Sequence, residues 1–186
     1  MRKIAIAFVL FCLVASEIQS SPSAINSPQS ELVIDGVGIS WIVVNASTEA
    51  DVIALYGDDF KLIEHRKYSY EIEYKDLGLS FYYCYCDEEK RIVAILIKAP
   101  CPGATSKGII VGQNTLQDVF DLYGKADPRT TTAQKSLFFE YPGINFHIDY
   151  QEEVTAEAIG EEQLNKKIIA IEIVDPDVKG SVCNCL

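Results

Sequence analysis

Two copies of one heptapeptide decide how this chain is organised: Asp51-Val-Ile-Ala-Leu-Tyr-Gly57 and Asp118-Val-Phe-Asp-Leu-Tyr-Gly124. Five of the seven positions are identical, and the copies lie 67 residues apart. Further matching segments follow in the same order in both halves: Gly78–Phe81 with Gly143–Phe146, and Arg91–Pro100 with Lys167–Pro176. An ordered series of matches indicates an internal repeat, here of about 70 to 75 residues.

Each heptapeptide belongs to a predicted helix. In both copies a threonine stands three residues before an aspartate, which is the spacing of a helix N-cap and its answering acid. Apolar residues then recur at i, i+3 and i+4, and a glycine ends the pattern. The sequence predicts helices over 48–56 and 115–123, with Thr48 and Thr115 as N-caps. Helices this short need a sheet to pack against.

Alternating apolar and polar residues predict the sheet. Tyr68, Tyr70, Ile72 and Tyr74 alternate with polar residues at the period of two that is typical of a half-buried strand. The other predicted strands are 79–85, 92–98, 136–141, 144–150 and 168–174, and the loop 152–166 has room for a short helical turn. The predicted inward face consists of Leu79, Phe81, Tyr83, Val93, Ile95 and Ile97, and of Ile144, Phe146, Ile148, Ile169, Ile171 and Ile173.

These elements predict an α+β fold of two tandem modules, each a short helix or helix pair on an antiparallel sheet of three to four strands. The first repeat spans 31–101 and the second spans 102–178. A tail with two cysteines, 179–186, follows the second repeat.

The N-terminus has the layout of a secretory signal peptide, with Arg2 and Lys3 before the apolar run 4–15. The run is too short to cross a bilayer, which takes about 20 residues. We expect a signal peptide over 1–20, cleaved after Ser16 or Ser20, and a disordered Ser/Pro linker over 21–30. The protein is therefore predicted to be secreted or periplasmic, without membrane insertion.

The charge of the chain narrows the choice of partner. The formal net charge of −11 repels phosphate backbones, so we do not expect nucleic acid as a partner. The sequence has no Gly-rich phosphate loop, no nucleophile elbow and no His-Glu metalloprotease motif, and it predicts no cofactor, metal site or catalytic residue.

The repeated Gly-Ile and Asp-Val-x-x-Leu-Tyr-Gly stretches and the strands that follow them give the chain an architecture that resembles the tandem modules of the β-lactamase inhibitory protein. More loosely, it resembles the small lipoproteins of outer-membrane assembly. Proteins of this kind are adaptors or inhibitors that grip other proteins. The resemblance therefore implies a non-catalytic, protein-binding function.

The outward sheet face is the predicted contact surface, because the two copies differ there. It carries Tyr82, Leu96, His147 and Asp149. Tyrosine is common at interfaces because it combines a large apolar area with a hydrogen-bonding tip. The alternatives are a structural envelope protein, or a hydrolase or metal-binding protein that uses this face.

Five cysteines lie beyond the predicted signal peptide: Cys84, Cys86, Cys101, Cys183 and Cys185. Export favours disulfides. Because a bond within a C-x-C unit is strained, we expect the 84/86 pair to bond to the 183/185 pair. Two C-x-C units also have the ligand number of a zinc site, so zinc and reduced thiols stay open as alternatives.

Overall fold

The computed structural model describes residues 32–65, 68–131, 136–149, 159–177 and Cys183. The predictions for the signal peptide, for the linker 21–30 and for Cys185 lie outside the described residues. The strands are β1 (Leu32–Ile34), β2 (Gly38–Ile39), β3 (Ile42–Val43), β4 (Lys61–His65), β5 (Ser69–Tyr74), β6 (Leu79–Cys84), β7 (Ile92–Lys98), β8 (Ala104–Thr105), β9 (Pro128–Thr131), β10 (Ser136–Tyr141), β11 (Ile144–Asp149) and β12 (Ile168–Val174). The helices are α1 (Glu49–Tyr56), α2 (Leu116–Tyr123) and α3 (Glu161–Leu164), and Lys75–Leu77 form a 3-10 turn.

Both predicted long helices are confirmed. The Thr48 hydroxyl accepts a hydrogen bond from the Asp51 amide, and the Asp51 carboxylate accepts one from the Thr48 amide. Thr115 and Asp118 form the same capping box at the start of α2. Each box satisfies amides that a helix start leaves without intrahelical partners, which is why helices of only two turns begin at these positions.

Most of the strands join one sheet of eight, in the order β4-β5-β6-β7-β12-β11-β10-β9. All its neighbouring strands are antiparallel. The fold is therefore α+β, as predicted, but the strands of the two halves meet directly between β7 and β12 instead of forming two separate sheets. A smaller sheet, in the order β3-β2-β1-β8, was not predicted because its strands have only two or three residues.

The helices pack on one face of the large sheet, here called the inner face. Val52 of α1 and Val119 of α2 are fully buried, and the Phe120 ring packs edge-on against Phe139. The small sheet packs on the same core through Val33 and Ile39.

The predicted inward set is wrong at two positions. Ile92 is buried where Val93 was expected, and Ile168 is buried where Ile169 was expected. Ile169 is 40 % exposed. The cause is a β-bulge in each half, between Tyr82 and Tyr83 and between His147 and Ile148, which shifts the alternation of the paired strand by one residue.

Candidate binding surfaces

The four residues predicted for the contact surface all lie on strands of the large sheet, but they do not form one accessible surface. Leu96 is 1 % exposed and His147 is 2 % exposed. Tyr82 is partly buried, and Asp149 is exposed at the end of β11. Leu96 pairs with Glu172 across the centre of the sheet, and Glu172 also lies close to His147.

His147 belongs to a polar cluster in the second half of the sheet. Its Nδ1 lies 3.2 Å from the Ser136 hydroxyl, and its Nε2 lies 3.7 Å from the Glu172 carboxylate. Asn145 donates a hydrogen bond of 2.8 Å to that same carboxylate. Burial raises the pKa of Glu172, but its contacts with His147 and Asn145 outweigh burial and hold the pKa below its ordinary value.

This cluster contains the residue types of a hydrolytic triad, namely serine, histidine and a carboxylate. Ser136 is only 2 % exposed, however, so a substrate does not reach its hydroxyl in this conformation. The His147 Nε2 and the Asn145 Oδ1 have no hydrogen-bond partner among the described residues. The geometry therefore describes a buried polar cluster rather than an open active site.

A second polar cluster lies on the same face in the first half. The His65 Nε2 is 2.7 Å from the Glu71 carboxylate, and the His65 ring stacks on Tyr82 with 5.6 Å between ring centroids. Burial raises the pKa of Tyr82, and the neighbouring Glu71 carboxylate raises it further. Within the described part of the chain, no group of three His, Cys, Asp or Glu side chains is arranged to hold a metal ion.

In the part of the chain that the structure describes, the most exposed large apolar side chain lies elsewhere, at the turn between β2 and β3. Trp41 is the only tryptophan of the sequence and is 86 % exposed. Its neighbour Ser40 donates a backbone hydrogen bond to Leu32 of β1. Leu32 is 53 % exposed and Ile34 is 39 % exposed. We call Leu32, Ile34 and Trp41 the hairpin patch.

The small sheet is held in place by contacts beneath the hairpin patch. The Gly36 amide donates a hydrogen bond of 3.0 Å to the Gly143 carbonyl at the turn between β10 and β11. Val33 and Ile39, on the opposite side of the small sheet from the patch, are 0 % and 1 % exposed. The patch is therefore displayed on a sheet that is anchored on its inner side.

An open groove of about 790 Å³ lies where α1, β4 and the 3-10 turn meet. The aromatic rings of Tyr56, Phe60 and Tyr74 line it together with Leu77, which is 43 % exposed. Charged side chains also line the groove, namely Asp59, Lys61, Glu73, Lys75 and Asp76. The groove thus offers apolar walls with charged groups around them.

The cysteines tie the C-terminal tail to the sheet. Cys84, at the end of β6, forms a disulfide with Cys183 across a sequence separation of 99 residues. The expected bond between the two C-x-C units is therefore confirmed for this pair. Cys86 is disulfide-bonded as well, and Cys101 is buried. No described helix is long and apolar enough to cross a membrane.

Solved structures that are similar to this chain include two of low similarity. No family model matches the chain. No curated protein matches it either. A DUF4309 family protein, YjgB, from Bacillus subtilis subsp. subtilis str. 168 shares 14 % identity at a TM-score of 0.46, over 75 % of this chain and 88 % of that one.

The second structure is a cysteine-rich secretory protein from Staphylococcus aureus subsp. aureus Mu50, with 9 % identity and a TM-score of 0.39. The match covers 67 % of this chain and 42 % of the staphylococcal one. Neither protein is described as a β-lactamase inhibitory protein or an outer-membrane assembly lipoprotein.

Proposed function

We propose that this chain is an exported, non-catalytic protein-binding module that contacts its partner through the hairpin patch. The observation that carries the proposal is the 86 % exposure of Trp41. Tryptophan is enriched among the residues that dominate interface energies, because it buries a large area with little loss of side-chain freedom. Adjacent exposed apolar side chains at Leu32 and Ile34 extend the contact area.

The partner is a folded protein that presents an apolar recess with basic residues around it. The chain has a net charge of −11, which opposes binding to anionic membranes and to nucleic acids. The same charge attracts a basic protein surface and speeds the encounter. Export to an oxidising compartment is supported by the Cys84–Cys183 disulfide and by the signal-like N-terminus.

We also propose that the two halves are tandem copies of one module. Contacts that recur at repeat-related positions support this arrangement. The Tyr74 hydroxyl donates to the Gly57 carbonyl at 2.7 Å, and the Tyr141 hydroxyl donates to the Gly124 carbonyl at 2.6 Å. Three backbone hydrogen bonds of the first half also have a counterpart in the second half. In the first half, the amides of Ile92, Glu49 and Lys98 donate to the carbonyls of Ser47, Lys90 and Gly78, in that order. In the second half, the amides of Ile168, Leu116 and Val174 donate to the carbonyls of Asn114, Lys166 and Gly143.

Where the two halves meet, the residues of β7 and β12 pair with approximate two-fold symmetry. Leu96 and Glu172 occupy equivalent positions in the sequence repeat, and they pair with each other between β7 and β12. Ala94 pairs with Val174, the equivalent of Lys98, and Lys98 pairs with Ala170, the equivalent of Ala94. Two copies of one module that pair through the same strand produce this pattern, just as the two subunits of an isologous dimer do.

A photo-crosslinking side chain in place of Trp41 tests the binding proposal. The variant is incubated with the extracellular or envelope fraction of the source organism, and the cross-linked protein is identified. The control carries the same group in place of Leu122, which is 46 % exposed on α2. We expect a partner that cross-links at position 41 and not at position 122.

The purified partner then allows a quantitative test. Trp41→Ala should weaken binding by about 30-fold, which corresponds to about 2 kcal/mol for a central interface tryptophan. Leu122→Ala should leave the affinity unchanged. Since Trp41 is the only tryptophan in this chain, partner binding should also shift its fluorescence emission to the blue. Equal affinity of wild type and Trp41→Ala for every captured protein would refute the proposal.

A further inference from the structure

We propose that the open edge of β4, together with the groove beside it, takes up an extended peptide segment of another protein as an additional strand. This surface belongs to the large sheet and is separate from the hairpin patch. The proposed ligand is a peptide in β conformation with one large apolar side chain, which enters the groove between Phe60 and Leu77.

The first argument is the topology of the sheet. β4 lies at the end of the eight-stranded order, and β5 is its only paired neighbour among the described strands. An edge strand presents unpaired backbone N–H and C=O groups along one side, and these groups recognise another extended chain. Lys61, Leu62 and Glu64 on β4 are all exposed.

The second argument is an incomplete apolar row on the inner face. Leu62 pairs with Ile72, and Ile72 pairs with Phe81, so the three side chains lie side by side on one face. Ile72 and Phe81 are 0 % exposed, whereas Leu62 is 54 % exposed. A further strand at this edge would cover Leu62 and extend the row by one position.

The third argument is the contrast with the opposite edge of the same sheet. At that edge, β9 begins with Pro128, which pairs with Phe139. This pair corresponds to the pair of Leu62 and Ile72 in the first half, so Pro128 takes the place of Leu62. Proline has no backbone N–H, and proline at a sheet edge hinders the pairing of another strand. β4 contains no proline. As far as the described strands go, the edge of the first half is therefore open at a position where a proline blocks the edge of the second half.

The fourth argument is that the groove continues the β4 edge. It is lined by Lys61, the first residue of β4, and by Phe60 directly before it. The chain returns from β5 through the 3-10 turn Lys75–Leu77, which places Leu77 in the groove wall. The second half uses the shorter turn Pro142–Gly143 between β10 and β11, which supplies no counterpart of Leu77. Among the described residues, the open edge and the apolar recess thus occur together in the first half alone.

A phage-displayed library of random peptides is the probe, and it is panned on the full mature protein. Selected peptides are synthesised, and their affinities are measured for wild type, Leu62→Lys, Leu77→Lys and the matched control Thr130→Lys on β9. Because all three positions are exposed, we expect each variant to keep the fold, which circular dichroism checks. Amide hydrogen exchange of β4 is measured with and without peptide.

We expect selected peptides to share a large apolar residue and to lose at least about tenfold in affinity with Leu62→Lys and with Leu77→Lys. Thr130→Lys should bind like wild type. Exchange of the β4 amides should slow in the complex, because new backbone hydrogen bonds protect them.

Three results would overturn the proposal. The first is that panning yields no peptide, or only peptides that bind all variants equally. The second is that the peptides lose affinity with Trp41→Ala and keep it with Leu62→Lys, which would assign them to the hairpin patch. The third is that the protein dimerises with rising concentration and Leu62→Lys abolishes dimerisation, which would make a second copy of this chain the occupant. None of these results depends on whether the photo-crosslinking test at Trp41 succeeds.

Discussion

Gly143→Ala tests the contact that anchors the small sheet, and with it the hairpin patch, to the large sheet. Gly143 has a φ of +79°, and a Cβ built on it would press against the Gly36 Cα and lie 2.5 Å from the Gly36 nitrogen. Both of these neighbours are backbone atoms, so no side chain can rotate to make room. The turn between β1 and β2 would have to move away from the turn between β10 and β11.

The expected magnitude has two parts. An alanine in the left-handed region costs about 1–2 kcal/mol for its backbone conformation alone. Overpacking of a tight contact adds about 1–3 kcal/mol. Gly112→Ala is the matched control, because Gly112 has a similar φ of +76° and a Cβ there meets no atom within 4 Å. Gly143→Ala should therefore destabilise the protein by about 1–3 kcal/mol more than Gly112→Ala does.

Urea unfolding followed by far-ultraviolet circular dichroism measures the difference. With a slope of about 2 kcal/mol per molar urea, the midpoint of Gly143→Ala should lie about 0.5–1.5 M below that of Gly112→Ala. Equal midpoints would refute the reasoning, since they would mean that the close approach of Gly36 and Gly143 carries no steric constraint.

Two other outcomes follow from the disulfide and from Glu172. Reduction of Cys84–Cys183 together with the disulfide of Cys86 should lower the free energy of unfolding by about 4–5 kcal/mol, the loop-entropy value for a closed loop of about 100 residues. Urea midpoints with and without reductant measure the change, and an unchanged midpoint would contradict this prediction. The depressed pKa of Glu172 contributes stability that is present above the ordinary carboxyl pKa and is lost as the pH falls through the folded-state pKa. The free energy of unfolding of Glu172→Gln, measured by urea titration, should therefore fall less on acidification than that of the wild type. Identical pH dependence of the two proteins would contradict the lowered pKa of Glu172.

Local patterns of the sequence were sufficient to predict the two capped helices and six of the twelve described strands, namely β5, β6, β7, β10, β11 and β12. The N-caps Thr48 and Thr115 follow from a spacing of three residues, and the structure confirms them. The central strands β7 and β12 have the predicted bounds 92–98 and 168–174. Capping and alternation depend on neighbours within a few residues, so one sequence is enough to find them.

The contact surface was harder to predict, because exposure depends on what packs against a strand. Leu96 and His147 alternate with core residues as outward-facing positions should, yet they are 1 % and 2 % exposed. Trp41 is not among the residues predicted for the contact surface, although it is 86 % exposed. Its signal in the sequence is a large aromatic residue within a turn, which becomes informative only when the turn is known to face solvent.

The sequence by itself determined the α+β class, the helix caps and the six strands with clear alternation, β5 to β7 and β10 to β12. Only the tertiary structure decided that the strands of both halves join in one sheet through β7 and β12, that bulges place Ile92 and Ile168 in the core, and that β4 has β5 as its only partner among the described strands. Strand order in a sheet and register across a bulge arise from contacts between residues far apart in the chain. The alternation of apolar and polar residues along a strand depends only on residues near in sequence, so it does not predict those contacts.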